Sequence, residues 1–226
     1  NYVSMNNPTL LNPTSKYLTL SAWVKTSSAN QMRIISKGLY SNSTGYMVEM
    51  NNGYIYAGMG SGSESTSVLF RSVDDGYNDD AWHQVAVTFD HTNTGAYLYI
   101  DGAAVNIEKY NSNTCGTVDS SIKLNYSSCY ADITPVSNSN FFIGRYDGSA
   151  LYPWNGSIDE VRIYNKTLSS SDIDYLYDNN ASPLLRNHLY SNVLESGADL
   201  RFTTSNASTN IPYYIEKFTK AGQNAR

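Results

Sequence analysis

The clearest alternation of apolar and polar positions lies within residues 82–102. Every second position is apolar at 85–89 and again at 97–100, which is the side-chain period of a half-buried β-strand. The turn-forming residues at 90–95 predict an antiparallel hairpin between the two runs, and the Asp-Gly pair at 101–102 predicts a tight turn into another strand. The stretch therefore predicts a β-meander in an all-β domain.

Shorter runs of the same kind occur along most of the chain. At 18–25 the apolar residues occupy alternate positions, and Trp23 is predicted on the opposite face. A Gly/Ser-rich loop is predicted at 58–67 and a long irregular insertion at 110–140. Short strands separated by turn signals predict a sandwich of two antiparallel sheets, with the further strands at 2–5, 33–37, 46–50, 54–57, 68–70, 141–145 and 156–164.

The last of these strands contains several charged residues. Strict alternation would place Asp159 on the same face as Val161 and Ile163, and Glu160 on the other. A carboxylate on a buried face is costly without a partner. This pattern therefore predicts a partner for Asp159.

One short helix is predicted near 169–178. Ser169 and Asp172 have the spacing of a capping box, and Ile173, Leu176 and Tyr177 form one apolar stripe.

The composition narrows the classes of function. Fifteen basic and twenty acidic residues give a net charge of -5, which argues against a nucleic-acid-binding surface. Only 15% of the residues are charged, and Asn, Ser, Thr, Tyr and Gly are abundant, as is typical of extracellular β-proteins. No apolar run approaches the roughly 18 residues of a membrane span. No signal peptide precedes Asn1, so any export signal or anchor would lie outside this sequence.

Cys115 and Cys129 flank a polar segment and predict a disulfide that closes a surface loop, with a stabilisation of about 3 kcal/mol. The alternative is a pair of free thiols in a reducing cell. The spacing of the two cysteines makes a poor zinc site.

Sequons for N-glycosylation are no more frequent than chance in a chain so rich in Asn, Ser and Thr. They occur at Asn42, Asn125, Asn155, Asn165, Asn180 and Asn206.

Several of these segments together resemble a known family. Their order matches that of laminin-G-like, concanavalin A-type jelly-roll domains of secreted proteins, and they are LTLSAWVK at 18–25, AWHQVAVTFD at 81–90, AYLYIDG at 96–102, FFIGR at 141–145, GSIDEVRIYN at 156–165 and LSSSDIDYLY at 168–177. The resemblance implies a jelly roll over residues 1–178. The family usually opens with a Phe-Asp-Gly segment, and Asn1 aligns just after it, so the resemblance implies that part of the first strand is missing.

The tail resembles a different family. Residues 197–203 and 212–217 are similar to the opening of a β-sandwich family of unknown function found on prokaryotic, often archaeal, surface proteins. We expect a linker at 179–186 and, at 187–226, either a partial second β-domain or a strand-exchanging tail. Open sheet edges readily accept another strand, so a homo-oligomer formed by strand exchange is one expectation.

The same fold hosts glucan hydrolases, whose family signature is Glu-x-Asp-x-x-Glu on one strand. This spacing does not occur in the sequence, and the acidic clusters are adjacent pairs, which point to opposite faces of a strand. His83 lies within the Trp-His motif of the family, where a structural hydrogen bond is the favoured role. The sequence therefore predicts no enzyme.

The resemblance implies a calcium site. In similar jelly rolls the Asp of the final-strand motif contacts Ca²⁺ together with backbone carbonyls, which corresponds here to Asp159 and the carbonyl of Gly45. The alternative is that Asp159 accepts backbone hydrogen bonds or pairs with a basic residue.

A sugar site needs aromatic rings beside Asn and Asp. One predicted loop combines these residue types, namely Tyr146, Asp147, Tyr152, Trp154 and Asn155. The alternative is that these tyrosines serve cross-strand pairs or a protein interface.

These observations favour a non-catalytic extracellular module of a prokaryotic cell-surface protein, acting in adhesion or as a structural subunit of a surface layer or filament. Its partner would be a glycan or a surface protein. The alternative function is that of a carbohydrate-binding module attached to a secreted multidomain enzyme.

Overall fold

The computed structural model describes residues 2–13, 17–38, 44–61, 64–90, 92–110, 112–129, 138–146 and 151–181, and the backbone of 202–203 and 210–211. The elements of this part are almost all β-strands. They are β1 (Val3–Met5), β2 (Leu18–Lys25), β3 (Met32–Gly38), β4 (Thr44–Asn51), β5 (Tyr54–Ser61), β6 (Ser67–Ser72), β7 (Trp82–Asp90), β8 (Gly95–Ile100), β9 (Ala103–Ala104), β10 (Ile107–Lys109), β11 (Thr117–Ser120), β12 (Lys123–Asn125), β13 (Phe141–Ile143), β14 (Ser157–Tyr164), α1 (Ser170–Ala181), β15 (Phe202–Thr203) and β16 (Asn210–Ile211), with short 3-10 helices at Thr9–Leu11, Glu64–Thr66 and Ser127–Cys129.

The first fourteen strands form two sheets. The first sheet has the order β1-β13-β3-β4-β5-β6-β10. The second has the order β11-β12-β8-β7-β2-β14, and β9 pairs with β8. Every pairing within the two sheets is antiparallel. The predicted all-β, two-sheet antiparallel jelly-roll sandwich is confirmed.

The hairpin at the centre of the sequence pattern is present. Strands β7 and β8 pair with Val87 opposite Leu98, and both side chains are fully buried. Asp101 and Gly102 have positive φ angles of 51° and 82°, the conformation of the tight turn that leads into β9. The predicted meander is therefore confirmed.

The main core lies between the two sheets. Leu18, Leu20, Ala22 and Val24 of β2 all face it, as the alternation predicts. Trp23 points to the opposite face, where its ring stacks on that of Tyr177 at 5.6 Å between ring centroids. The second sheet thus has an inner apolar face and an outer face that α1 covers.

The helix begins with the predicted capping box. The backbone N–H of Ser169 donates to Asp172 Oδ2 at 2.9 Å, and the N–H of Asp172 donates to Ser169 Oγ at 3.2 Å. Ile173 is fully buried and joins a second, smaller apolar cluster with Leu168 and Ala86 of β7. The helix is thereby fixed to the outer face of the second sheet.

The predicted faces of β14 are wrong because the strand contains a β-bulge. Its register with β2 shifts between Asp159 and Arg162, and Glu160 adopts a φ of 50°. Val161 and Ile163 pack on the main core, whereas Asp159 pairs with Trp23, whose side chain lies on the outer face. One extra residue reverses the alternation, so Asp159 does not share the buried face.

Two predicted loops contain strands. The loop predicted at 58–67 includes the second half of β5, where Gly60 pairs with Ser67 so closely that an added Cβ would lie 2.0 Å from Ser67 Oγ. The irregular insertion predicted at 110–140 includes β11 and β12, which extend the second sheet. Sequences rich in Gly, Ser and Asn carry little alternation, so the sequence pattern does not predict these three strand segments.

The tail contains one described pairing. Phe202 and Thr203 of β15 lie opposite Ile211 and Asn210 of β16. The predicted linker at 179–186 and second unit at 187–226 fall almost wholly outside the described residues, so this division of the chain stays a prediction.

Candidate functional site

Three arginine side chains of the described residues lie against aromatic rings, and they share the outer face of the first sheet. We name this surface the tyrosine-arginine face. Its members are Tyr2, Arg33, Glu49, Tyr54, Tyr56, Arg71, Glu108, Tyr110, Phe142, Arg145, Tyr146 and Tyr152.

The strand register produces the centre of this face. Glu49 of β4 lies opposite Arg33 of β3 on one side and Tyr56 of β5 on the other. Arg71 of β6 lies opposite Tyr56 and, on its other side, Glu108 of β10. Residues paired in this way point to the same face of a sheet, so the five side chains form one row across five strands. The row alternates cationic, acidic and aromatic groups.

Arg71 forms the more exposed cluster of this row. Its Nε donates to Glu108 Oε1 at 2.7 Å and its Nη1 donates to Tyr56 Oη at 3.0 Å. The guanidinium carbon lies 4.2 Å from the ring centroid of Tyr54, a cation–π distance. The ring of Tyr110 meets that of Tyr56 edge-on and is itself 53% exposed. The ring of Tyr110 and the polar side chains of Arg71 and Glu108 are therefore exposed to solvent in the same cluster.

Arg33 forms a buried cluster in the same row. The side chains of Arg33 and Glu49 are 1% and 5% exposed, and Arg33 Nε lies 3.1 Å from Glu49 Oε2. Burial raises the pKa of the Glu49 carboxyl, and the Arg33 charge and the Gln31 amide offset only part of this rise. Tyr146 and Tyr152 place their rings 5.4 and 5.9 Å from the guanidinium carbon. These two half-buried rings cover the guanidinium of the ion pair.

Arg145 lies at the β13 side of the face. Its guanidinium carbon is 4.2 Å from the ring centroid of Tyr2 and 5.0 Å from that of Phe142. Phe142 pairs with Ser36, whose hydroxyl donates to the backbone carbonyl of Arg145 at 2.9 Å. This hydrogen bond fixes the Arg145 backbone over the outer face of β3.

The structure separates the residues of the predicted sugar loop. Tyr146 and Tyr152 lie on the tyrosine-arginine face. Trp154 lies in the main core, 8% exposed, with its Nε1 donating to Ser157 O at 3.2 Å, so its ring is not available for stacking on a ligand. Asn155 is exposed, and its carbonyl accepts a hydrogen bond from Thr26 Oγ1. Asp147 lies outside the described residues.

The two residues predicted to bind calcium lie in different sheets. Asp159 is in β14 of the second sheet, where its Oδ1 accepts the N–H of Glu160 at 2.8 Å. Gly45 is in β4 of the first sheet, paired with Gly38 and Gly60. Ca²⁺ takes six to eight oxygen ligands, and no group of three or more His, Cys, Asp or Glu among the described residues could hold a metal ion. Calcium binding at Asp159 and the Gly45 carbonyl stays a prediction.

The predicted disulfide is described at one of its ends. Cys115 is 6% exposed and packs on the main core, and its N–H donates to the carbonyl of Ser67 at 2.9 Å. The side chain of Cys129 lies outside the described residues. No cysteine within the described part of the chain is free. The pairing stays a prediction.

His83 is not a member of the tyrosine-arginine face and lies in β7 of the second sheet. Its Nε2 is 3.1 Å from Asp79 Oδ1, and its ring meets that of Tyr77 edge-on at 5.5 Å between centroids. These contacts connect the strand to the loop that precedes it. They agree with the structural role that the sequence favours for this histidine.

Sequence reasoning missed most of the tyrosine-arginine face. The sequence predicts Tyr54 and Tyr56 only as part of a strand, and no motif points to Arg71, Glu108 or Tyr110. The alternation at 54–57 does place both tyrosines on one face, which is the signal that was available. The order of strands in the sheet, which brings Arg33 and Arg71 into one row, is not a local property of the sequence.

Comparisons with known proteins agree with this architecture. Residues 1–174 match the model of a family described as the concanavalin A-like lectin/glucanases superfamily. A search of the curated proteins finds no match.

Among solved structures, the CBM40 of the Ruminococcus gnavus IT-sialidase has a TM-score of 0.52 and 17% identity, over 73% of this chain and 84% of that chain. The same CBM40 bound to alpha2,3 sialyllactose gives 0.51 and 17%, over 72% and 83%. The binding domain of Botulinum neurotoxin DC in complex with rat synaptotagmin II gives 0.51 and 16%, over 79% of this chain and 39% of that chain. At such identities the likeness concerns the fold.

No helix in the described ranges combines the length and the apolar character that crossing a membrane requires.

Proposed function

This chain belongs to the concanavalin A-like lectin/glucanases superfamily, and we propose that it is a non-catalytic, extracellular glycan-binding module that holds its ligand on the tyrosine-arginine face. Such a module serves adhesion when it is part of a surface protein, and substrate targeting when it is part of a secreted enzyme.

The observation that carries this proposal is the cluster around Arg71. Sugar rings present C–H groups that pack on aromatic faces and hydroxyls that need both donors and acceptors. Tyr54 and Tyr110 supply partly exposed rings, and the partly exposed side chains of Arg71 and Glu108 supply a hydrogen-bond donor and an acceptor beside them. The arginine is held by its contacts before any ligand arrives, which lowers the entropy cost of binding.

The positions of the two acids on this face support the absence of catalysis. Glycoside hydrolysis needs two carboxyl groups about 5 to 9.5 Å apart. Glu49 is in β4 and Glu108 is in β10, with β5 and β6 between them, so their backbones are about 14 Å apart at the usual strand spacing. Glu49 is also buried against Arg33, where it cannot reach a ligand.

The test is a glycan array probed with the whole 226-residue chain, followed by calorimetric titration of the glycans that bind. We expect Tyr110→Ala and Tyr54→Ala to weaken binding at least about tenfold, or about 1.4 kcal/mol. The matched control is Tyr175→Ala, because this tyrosine is 66% exposed on α1, at the opposite side of the sandwich. Absence of any glycan signal from the wild-type chain would overturn the proposal.

A second measurement tests the non-catalytic part of the proposal. Each bound glycan is incubated with the protein, and the release of reducing ends is followed over hours. No release is expected, and hydrolysis that is lost in Glu108→Gln would show that the module is an enzyme.

A further inference from the structure

The three arginines of the tyrosine-arginine face differ in their acidic partners. Arg33 is paired with Glu49, and Arg71 is paired with Glu108. Arg145 makes no ion pair with any residue that the structure describes, although it lies on the same face. Among the residues that the structure describes, a paired carboxylate therefore neutralises the positive charge of Arg33 and of Arg71, and none neutralises that of Arg145.

The contacts of Arg145 hold its guanidinium in one orientation. Its Nε donates to the carbonyl of Tyr146 at 3.2 Å, and its guanidinium carbon lies over the rings of Tyr2 and Phe142. Within the described ranges these contacts leave the Nη1 and Nη2 atoms without a hydrogen-bond acceptor. A guanidinium held in this way offers two parallel N–H donors, which is the geometry that carboxylate, sulfate and phosphate groups accept.

The surroundings of Arg145 include a surface for a sugar ring. Tyr146, whose carbonyl it contacts, has its own ring 6.3 Å from that of Tyr152 between centroids, and both rings are half-buried. Those two rings lie over Arg33, the neighbouring arginine of the face, whereas the ring beneath the Arg145 guanidinium carbon is that of Tyr2, which is 52% exposed. An anionic group bound at Arg145 would therefore have the exposed ring of Tyr2 beside it for the sugar ring that carries it.

We propose that Arg145 binds the acidic group of an anionic glycan, a carboxylate or a sulfate, and that it makes the module selective for acidic over neutral sugars. This inference rests on the proposed glycan-binding function and adds the chemical class of the ligand. The acidic group of the ligand pairs with Arg145 as Glu49 pairs with Arg33 and as Glu108 pairs with Arg71. The attraction is electrostatic and partly exposed to solvent, so it weakens as the salt concentration rises.

The experiment compares the wild-type chain with Arg145→Gln on a glycan array that holds neutral, sialylated, uronic-acid-containing and sulfated glycans. We expect the wild-type signals to lie among the acidic glycans and to fall at least about tenfold in Arg145→Gln. The signals that are lost distinguish a carboxylate ligand from a sulfate ligand. Arg145→Lys is expected to recover only part of the affinity, because an ammonium lacks the planar fork. Arg162→Gln, on the second sheet, is the matched control and should bind as the wild type does.

The outcomes separate this inference from the function on which it rests. Binding of neutral glycans alone, or acidic binding that Arg145→Gln leaves unchanged, overturns the inference and leaves the glycan-binding function standing. Absence of all binding by the wild-type chain overturns both. Thermal unfolding of Arg145→Gln shows whether a loss of binding reflects a loss of folding. If that variant is unfolded, Arg145→Lys and the salt dependence of the wild type decide the question, and an affinity that 0.5 M NaCl does not change counts against the inference.

Discussion

The imidazole Nδ1 of His83 lies 2.8 Å from Oδ2 of Asp101. Asp101 also accepts the backbone N–H of Gln84 at 2.8 Å through its other carboxylate oxygen. Asp101 lies in the tight turn after β8, and the next residue of that turn, Gly102, packs on Tyr177 of α1. With Asp79 on its other nitrogen, His83 joins a loop, a strand and a turn that supports the helix.

We predict that the stability of the domain falls as the pH rises through the pKa of His83. The hydrogen bond and charge of Asp101, and those of Asp79, raise this pKa above its ordinary value, although partial burial opposes the rise. The protonated histidine therefore stabilises the fold fully below a pH of about 6.5, the pKa of the unfolded chain, and this contribution is lost as the pH passes the folded-state pKa. Urea unfolding between pH 5.5 and 8.5 measures the effect. His83→Gln should flatten the curve in this window, and equal pH dependence in both proteins would contradict the prediction.

The buried and the exposed arginine pairs should differ in their contribution to stability. Arg33→Ala leaves Glu49 buried without its cation, so we expect a loss of about 3 to 5 kcal/mol. Arg71→Ala is the matched control, because the side chains of Arg71 and Glu108 are 30% and 47% exposed and such pairs contribute about 1 kcal/mol or less. Urea unfolding at neutral pH compares the two variants. Equal losses would contradict the assignment of the Arg33 pair to the interior.

Trp154 should behave as a core residue. Trp154→Ala removes a buried ring from the main core, and we expect a loss of about 3 to 5 kcal/mol in the free energy of unfolding. Leu151→Ala, at a side chain 46% exposed in the same segment, should change this free energy by about 0.5 kcal/mol or less. A Trp154→Ala variant as stable as the wild type would contradict the core assignment.

The predicted bond between Cys115 and Cys129 should make stability depend on redox state. Closing the loop between them restricts the unfolded chain, so adding a reductant should lower the free energy of unfolding by about 3 kcal/mol. A double variant, Cys115→Ala with Cys129→Ala, should show no response to the reductant. A wild-type thermal midpoint that is the same with and without reductant would overturn the pairing.

Much of the fold could be predicted from the sequence, because alternation reports directly which face of a strand is buried. The hairpin β7–β8 and the two faces of β2 follow from positions of period two. The bulge at Glu160 could not be predicted in this way, since an extra residue changes the face of its neighbours without any change in composition. In the same way, Arg33 looks like any polar residue of a strand until its neighbour Glu49 is known.

Of the residues in the candidate site, the sequence predicts only Tyr146 and Tyr152 as ligand-binding residues. Its remaining members come from strands that are distant in the sequence, and their juxtaposition depends on the order of strands in the sheet. The proposed role of Trp154 relied on residue type alone, and burial of the ring in the core decides against it.

The bulge in β14 also has a consequence for how copies of the domain behave when crowded. In the part of the chain that the structure describes, this strand is the last of the second sheet, where an extended flat edge would be a template for fibril-like growth. The bulge bends this edge, and the Arg162 and Glu160 side chains, 2.6 Å apart, place a charged pair beside it. A strand added there would have to bury those charges and would lose the register. Many copies held close together on one surface can therefore stay separate along this edge.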